Sequence, residues 1–238
     1  MDAIWTLTKK ELAGFFDSLT GYIVIVAFLG FTGFFTWLYG SDIFIRKQAD
    51  LVVFFSIAKW TLFFFIPAIT MKLISEEKNT GTLELLLTKP INENQLVLGK
   101  FFAAFLLVAI SLGLTLIYYI SISFLGKVDH GAIISGYIGL LLFSAAYIGI
   151  GLFASSVSKN QIVAFLLALF IGIFFQIIFD ILGNSLTGFV GKLFDFMSLS
   201  GHFDSISRGV WDTRDIIFFL SICILGIQLA RENLALRK

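Results

Sequence analysis

The chain is short of nearly every residue type on which soluble chemistry relies. Cysteine occurs once, at Cys223, and proline and histidine twice each among 238 residues. A single cysteine closes no internal disulfide, which excludes an oxidised, cross-linked scaffold. The histidines, His130 and His202, belong to no H-E-x-x-H pattern, and the chain has neither G-x-S-x-G nor a Cys/His cluster at metal-ligand spacing. His130 beside Gly131 reads as a solvated turn residue and His202 as a loop residue, so no bound metal or cofactor is expected. The phosphate-binding pattern G-x-x-x-x-G-K-[ST] is missing too, because Gly99-Lys100 runs into Phe101 and Gly191-Lys192 into Leu193. The chain therefore hydrolyses no ATP by that route and is not expected to be an enzyme. Only 14% of residues are charged and the formal net charge is +1, which leaves no basic footprint for nucleic acid.

What remains is apolar. Hydrophobic residues make up 58% of the chain and mean hydropathy is +0.95, outside the balance of a soluble domain. Twenty-nine Phe must be buried in protein or in lipid, so the fold class is an all-α integral membrane bundle in one domain, 1–238. A crossing helix needs about 20 apolar residues at ~1.5 Å each. Six runs qualify: Gly21–Tyr39, Leu51–Met71, Phe101–Phe124, Ala132–Ala154, Gln161–Leu182 and Ile216–Ala230. The last is short, and its helix is expected to begin before Asp215. Continuous apolarity favours helices over barrel strands, which would alternate.

An even number of spans puts both termini on one side. Ten basic residues then share that side (Lys9, Lys10, Lys72, Lys78, Lys89, Lys100, Lys159, Arg231, Arg237 and Lys238) against six on the other (Arg46, Lys47, Lys127, Lys192, Arg208 and Arg214). The positive-inside rule makes the terminal side cytoplasmic and the location the cytoplasmic (inner) membrane. No cleavable signal peptide is expected, because residues 1–19 are amphipathic and the apolar run starts too late.

Two stretches read as amphipathic helices. Met1, Trp5, Leu12, Phe16 and Leu19 cluster on one side of 1–19 with Ile4 and Phe15 beside them, while Lys10, Asp17 and Leu7 fall on the polar side. This helix either anchors the chain in the lipid interface or also meets a partner. In the outer segment 183–215, Leu186, Phe189, Val190, Leu193, Phe194 and Met197 follow helical spacing, which suits a helix lying flat on the membrane or packed over the bundle.

The inner loop 72–100 carries four Lys and four Glu, which cancel. Thr80-Gly81-Thr82 is expected to stop the helix of span two and cap a short new one that exposes Leu83, Leu86 and Leu87 before Pro90 ends it. Asn92 with Gln95 forms a capping box and Ile91 with Leu96 a staple, so another helix is expected from Glu93. A short helix with a leucine stripe needs a cover, from the bundle or from another protein.

Within the spans, Lys59 lies about 12 Å along a helix begun at Leu51. A charge at that depth faces the bundle or a wet cavity, unless it snorkels or the span starts later. Asp180 in span five is the candidate partner, although the two depths differ by several residues. Span four has small residues at Gly131, Ser135, Gly139, Ala145 and Gly149, which permit close helix packing. Pro67 is expected to kink span two just before the loop.

The stretch Glu76-Glu77-Lys78, Gly81-Thr82-Leu83-Glu84-Leu85-Leu86, Pro90 and Gly99-Lys100 resembles the signature of permease subunits of ABC-2 type transporters. The likeness covers the whole chain: an amphipathic first helix, six spans, the loop between spans two and three, and an amphipathic segment before span six. Gly201–Asp212 resembles, more narrowly, the gliding-motility-associated permease of Bacteroidetes. The resemblance implies an exporter pathway built with a second permease copy, a homologue or an auxiliary membrane subunit. It also implies separate ABC ATPase subunits that carry the ATP and Mg. On that reading Leu83, Leu86 and Leu87 dock on the ATPase, Glu76, Glu77 and Glu84 pair with its basic residues, and His202 shapes an outer gate. Lys78 stands where the family often has Arg, which keeps the charge without the bidentate fork. Two rivals are a membrane anchor that transports nothing and an ion-coupled transporter or channel. The second would need more intramembrane carboxylate than Asp180 provides. Substrate identity is not encoded in so apolar a bundle.

Overall fold

The computed structural model describes residues 2–38, 49–82 and 91–236, and every regular element among them is helical. Helix α1 (Asp2–Asp17) precedes six crossings. These are α2 (Thr20–Trp37), α3 (Val52–Thr80), α4 (Glu93–Leu114) continued by α5 (Leu116–Leu125), α6 (His130–Val157), α7 (Gln161–Ile173) continued through a π turn (Phe174–Ile178) into α8 (Phe179–Ser185), and α11 (Thr213–Ala235). Two short helices, α9 (Gly188–Phe196) and α10 (Leu199–Ser207), lie between the fifth and sixth crossings. The six crossings follow the six apolar runs, and α11 does begin ahead of Asp215. We call the end that carries α1 and the close of α11 the terminal end, and the opposite one the distal end.

Local chemistry sets the boundaries. Asp129, Asn160 and Asp212 accept the N–H groups of Ala132, Ile162 and Arg214 at 3.1, 2.9 and 2.9 Å, so α6, α7 and α11 each start on a side-chain cap. The Asn92 N–H donates to Gln95 Oε1 at 3.1 Å, and α4 begins at Glu93 where the capping box places it. Helix α3 continues past Pro67 and stops at Gly81, whose φ of 73° is the left-handed conformation that a residue without Cβ adopts cheaply. The expected short helix through Leu83, Leu86 and Leu87 lies outside the described residues, as do Glu84 and Pro90.

Helix α6 is the axis of the bundle. It carries no Asp, Glu, Lys or Arg and packs against α3, α4, α7, α10 and α11. A Cβ added at Gly149 would sit 2.8 Å from the Cys223 carbonyl oxygen, so α6 and α11 cross backbone to backbone, with Gly226 meeting Gly149 from the other side. Gly136 admits the Phe55 ring, Gly151 the Thr70 side chain, and Gly139 the side chains of Ile206 and Phe203. Of the expected small-residue stripe, Gly139 and Gly149 are contact points and Ser135 and Ala145 are buried, whereas Gly131 meets only its own N-cap residue, Asp129. By contrast, the apolar windows of α2 and of the fifth crossing are 22% buried against 78% for α6, so these two present most of their surface outward.

Helix α1 corrects the helical-wheel reading. Leu7, expected on the polar side, is buried, and its Cβ lies against Gly99 at the start of α4, where the Thr8 hydroxyl donates to the Gly99 carbonyl at 3.2 Å. Phe15 is buried on the same side, while Trp5 and Leu19 are exposed. The wheel assumed one apolar face turned to lipid. The helix has a protein-facing side formed by Leu7, Thr8 and Phe15 and a separate outward side at Trp5, with Leu19 exposed in the turn that follows. In α9, Phe189, Val190, Leu193 and Phe196 are exposed and Phe194 turns inward to the Phe179 ring, 5.7 Å between centroids. The stripe thus divides between a lipid-suited surface and bundle packing.

Candidate functional site: polar clusters at the two ends of the bundle

At the terminal end, a single buried lysine joins three helices. Lys100, near the start of α4, is fully buried and donates to Glu77 Oε1 of α3 at 2.7 Å and to Glu11 Oε1 of α1 at 3.2 Å. Glu77 Oε2 is buried with no partner among the described residues. Next to this bridge, the close of α6 clasps the last turns of α3. Ser155 Oγ accepts the Ile74 and Ser75 N–H groups at 3.1 and 3.0 Å and donates to the Met71 carbonyl at 2.9 Å. The buried Lys78 ammonium donates to the Ser156 carbonyl. Helix α11 reaches the same place through Asn233 Nδ2, 3.4 Å from Ser156 Oγ, and Arg231 Nη1, 3.4 Å from Asn94 Oδ1. A cavity of about 410 Å³ opens beside the bridge, with Lys10, Lys72, Glu76, Thr80 and Thr82 on its walls.

Several residues of the expected coupling set therefore lie elsewhere than a docking loop would put them. Glu77 is engaged by Lys100 and Lys78 by Ser156, both within this chain, whereas Glu76 is exposed. Thr80 closes α3, its hydroxyl donating to the Glu76 carbonyl at 2.9 Å and lying 2.9 Å from that of Thr82, and Gly81 ends the helix. Sequence reasoning missed Glu11 and the role of Lys100. A signal existed for Lys100, because on the helical wheel of α4 it shares the buried face with Leu96, Ala103, Ala104 and Leu107.

At the distal end, α10 folds back over the bundle and buries Leu199, Phe203 and Ile206 against it. This brings polar partners to two buried groups. Lys59 is buried in α3 and donates to Asp204 Oδ1 at 2.8 Å and Ser200 Oγ at 2.9 Å, with its ammonium 5.4 Å from the Phe203 ring centroid. The partner expected for Lys59, Asp180, is not the one observed. Asp180 instead accepts from Ser198 Oγ at 3.4 Å. The depth count could not foresee the replacement, because Asp204 belongs to no span and reaches Lys59 only through the fold-back of α10. Snorkelling is likewise set aside, since the ammonium points to a carboxylate inside the protein.

His202 is not a loop residue. It is buried in α10, with Nδ1 2.6 Å from Asp215 Oδ1 and Nε2 2.8 Å from the Phe196 carbonyl oxygen, and its ring stacks on Phe218 at 4.1 Å. Both ring nitrogens thus face acceptors, and the imidazole ties α10 to the start of α11 and the end of α9. His130 also departs from the turn reading, since it opens α6 and its Nδ1 lies 2.6 Å from the Tyr119 hydroxyl. The Lys59 and His202 clusters meet at a cavity of about 660 Å³ bounded by Asp180, Asp195, Asp204, Arg208 and Asp215.

Among the described residues, no group of three or more His, Cys, Asp or Glu is placed to hold a metal ion. The ion-paired residues among those described form structural ties at the bundle ends. At each end these ties join neighbouring helices: α1, α3 and α4 at the terminal end, and α3, α10 and α11 at the distal end. No curated protein matches the chain. Residues 6–198, from within α1 to the residue before α10, do match the family described as ABC-2 family transporter protein. A match over most of a chain whose six crossings are all helical leaves no ambiguity of class, and the chain belongs to the ABC-2 transporter family.

Proposed function

We propose that this chain is the permease subunit of an ATP-driven ABC-2 exporter in the cytoplasmic membrane, with the terminal end in the cytoplasm. It works with a second permease copy or homologue and with separate ABC ATPase subunits that bind ATP and Mg. Leu83, Leu86 and Leu87 dock on the ATPase, with Glu76 and Glu84 at the rim of the contact and Pro90 ending the docking element.

The observation that carries this reading is the Glu77–Lys100–Glu11 bridge beside the end of α3. Helix α3 runs unbroken to Thr80 and leads directly into the proposed docking segment. The bridge joins its last turn to α4, which leaves that segment, and to α1. A push on residues 83–90 would therefore move the second and third crossings together with α1 and leave no slack at the junction. In this role Glu77 and Lys78 stiffen the base of the segment and do not contact the ATPase. The likeness of Gly201–Asp212 supports assignment to a gliding-motility complex, in which α10 and its cavity would face an auxiliary subunit.

The test is co-purification from the native host with Leu86→Glu as the variant. The wild-type chain should bring down an ABC ATPase, and the variant should lose it while retaining its own membrane abundance. Absence of any ATPase from the wild-type preparation, or unchanged recovery with the variant, would overturn the proposal. For motility, deletion of the gene should abolish spreading, and an unaffected deletion strain would remove that finer assignment alone.

A further inference from the structure

Among the described residues, the buried side chains of Gln176 and Tyr147 have no hydrogen-bond partner. Gln176 is 2% exposed and neither its amide oxygen nor its amide nitrogen has a partner among the described residues. Tyr147 is fully buried, and its hydroxyl is likewise unmatched. Buried groups of this kind oppose folding unless something satisfies them. An amide and a hydroxyl need both donors and acceptors, and water supplies both in the smallest volume.

Their placement leads toward the distal cavity. Gly172, Gln176 and Asp180 recur every fourth residue, about one turn apart on the fifth crossing. Gly172 rests directly on the Tyr147 hydroxyl, in space that any side chain would fill. Asp180 is on the cavity wall. Gln176 stands between them, within the π turn, an insertion that re-aims side chains and recurs at functional positions. The π turn packs against α10, the helix that supplies both partners of Lys59.

We propose that the distal cavity continues inward as a hydrated polar pocket inside a single permease chain, reaching Gln176 and the Tyr147 hydroxyl past the Lys59–Asp204 pair, with water as its ligand. The pocket requires neither an ATPase partner nor a particular orientation of the chain, so it stands or falls separately from the function proposed above.

Thiol labelling of the full chain in membrane vesicles of both orientations tests this. In a Cys223→Ala background, Gln176→Cys is exposed to a charged, membrane-impermeant methanethiosulfonate. Asp204→Cys marks the distal face and Phe170→Cys, 62% exposed on the outward side of α7, marks lipid. Gln176→Cys should label from the same face as Asp204→Cys and at least about tenfold faster than Phe170→Cys, because only a thiolate reacts and hydrocarbon suppresses it. Adding Asp204→Ala to Gln176→Cys should raise the rate further by opening the Lys59 pair. Labelling no faster than at Phe170→Cys in both backgrounds overturns the proposal. If Gln176→Cys does not reach the membrane, Tyr147→Phe decides. A hydroxyl bonded to water makes the unfolding temperature fall on its removal, and an unchanged or raised temperature means that the pocket is dry.

Discussion

Replacing Lys100 with methionine isolates the bridge at the terminal end. Methionine preserves length and apolar volume and removes only the ammonium, leaving Glu77 and Glu11 facing each other without their common cation. Deleting one member of a buried ion pair costs about 3–5 kcal/mol, because the survivor is desolvated without compensation. The side chain of Lys100 is 1% exposed, while those of Glu77 and Glu11 are 15% and 16% exposed and can recover some hydration. The lower end, about 3 kcal/mol, is therefore the appropriate figure. At 2–4 °C per kcal/mol for a chain of this size, the unfolding temperature in proteoliposomes should fall by about 6–12 °C. The triple variant Lys100→Met, Glu77→Gln, Glu11→Gln should recover most of that loss, since exchanging a whole buried charge cluster for neutral groups is often close to neutral. A fall of under about 2 °C for the single variant, or a triple variant no better than it, would refute the view that burial, and not mere proximity, makes this bridge matter.

The Lys59 pair should respond asymmetrically. Asp204→Ala strands a buried ammonium and should cost about 2–3 kcal/mol, whereas Lys59→Met leaves a half-exposed carboxylate to water and should cost under about 1 kcal/mol. Equal losses in thermal unfolding would contradict that account. Gly226→Leu drives a side chain into the Gly149 backbone and should destabilise by at least about 1–3 kcal/mol, while Gly30→Ala, where an added Cβ meets nothing within 4 Å, should be neutral or slightly stabilising. If both glycines tolerate substitution alike, α6 and α11 do not cross as closely as described.

The sequence makes some of this plain and conceals the rest for identifiable reasons. Apolar run length reveals the six crossings, because the bilayer imposes a length that sequence alone can meet. The Asn92–Gln95 cap and the Gly81 stop are equally visible, since both are local. What stays hidden depends on partners distant along the chain. Lys59 finds Asp204 across 145 positions, and Lys100 finds Glu11 across 89. Neither pairing leaves a periodic trace. Leu7 misleads because a wheel sorts residues by polarity and cannot tell a lipid-facing side from one that meets α4. The π turn escapes because it changes backbone register without changing composition. His202 looks like a loop residue for the reason Asp204 escapes, namely that α10 is short and its burial comes from folding back over the bundle.

The crossing of α6 and α11 has a mechanical meaning. Backbone contact at Gly149 and Gly226 leaves no layer of side chains to deform, so α11 is held directly against α6 near its middle. From Asp215 to Asn233 it measures about 27 Å. One end is tied to His202 and the other to Ser156. A rigid rod that pivots about such a contact moves its two ends in opposite directions. A shift of Asn233 against Ser156 would then displace Asp215 the other way, and the imidazole of His202 is the group that would meet it.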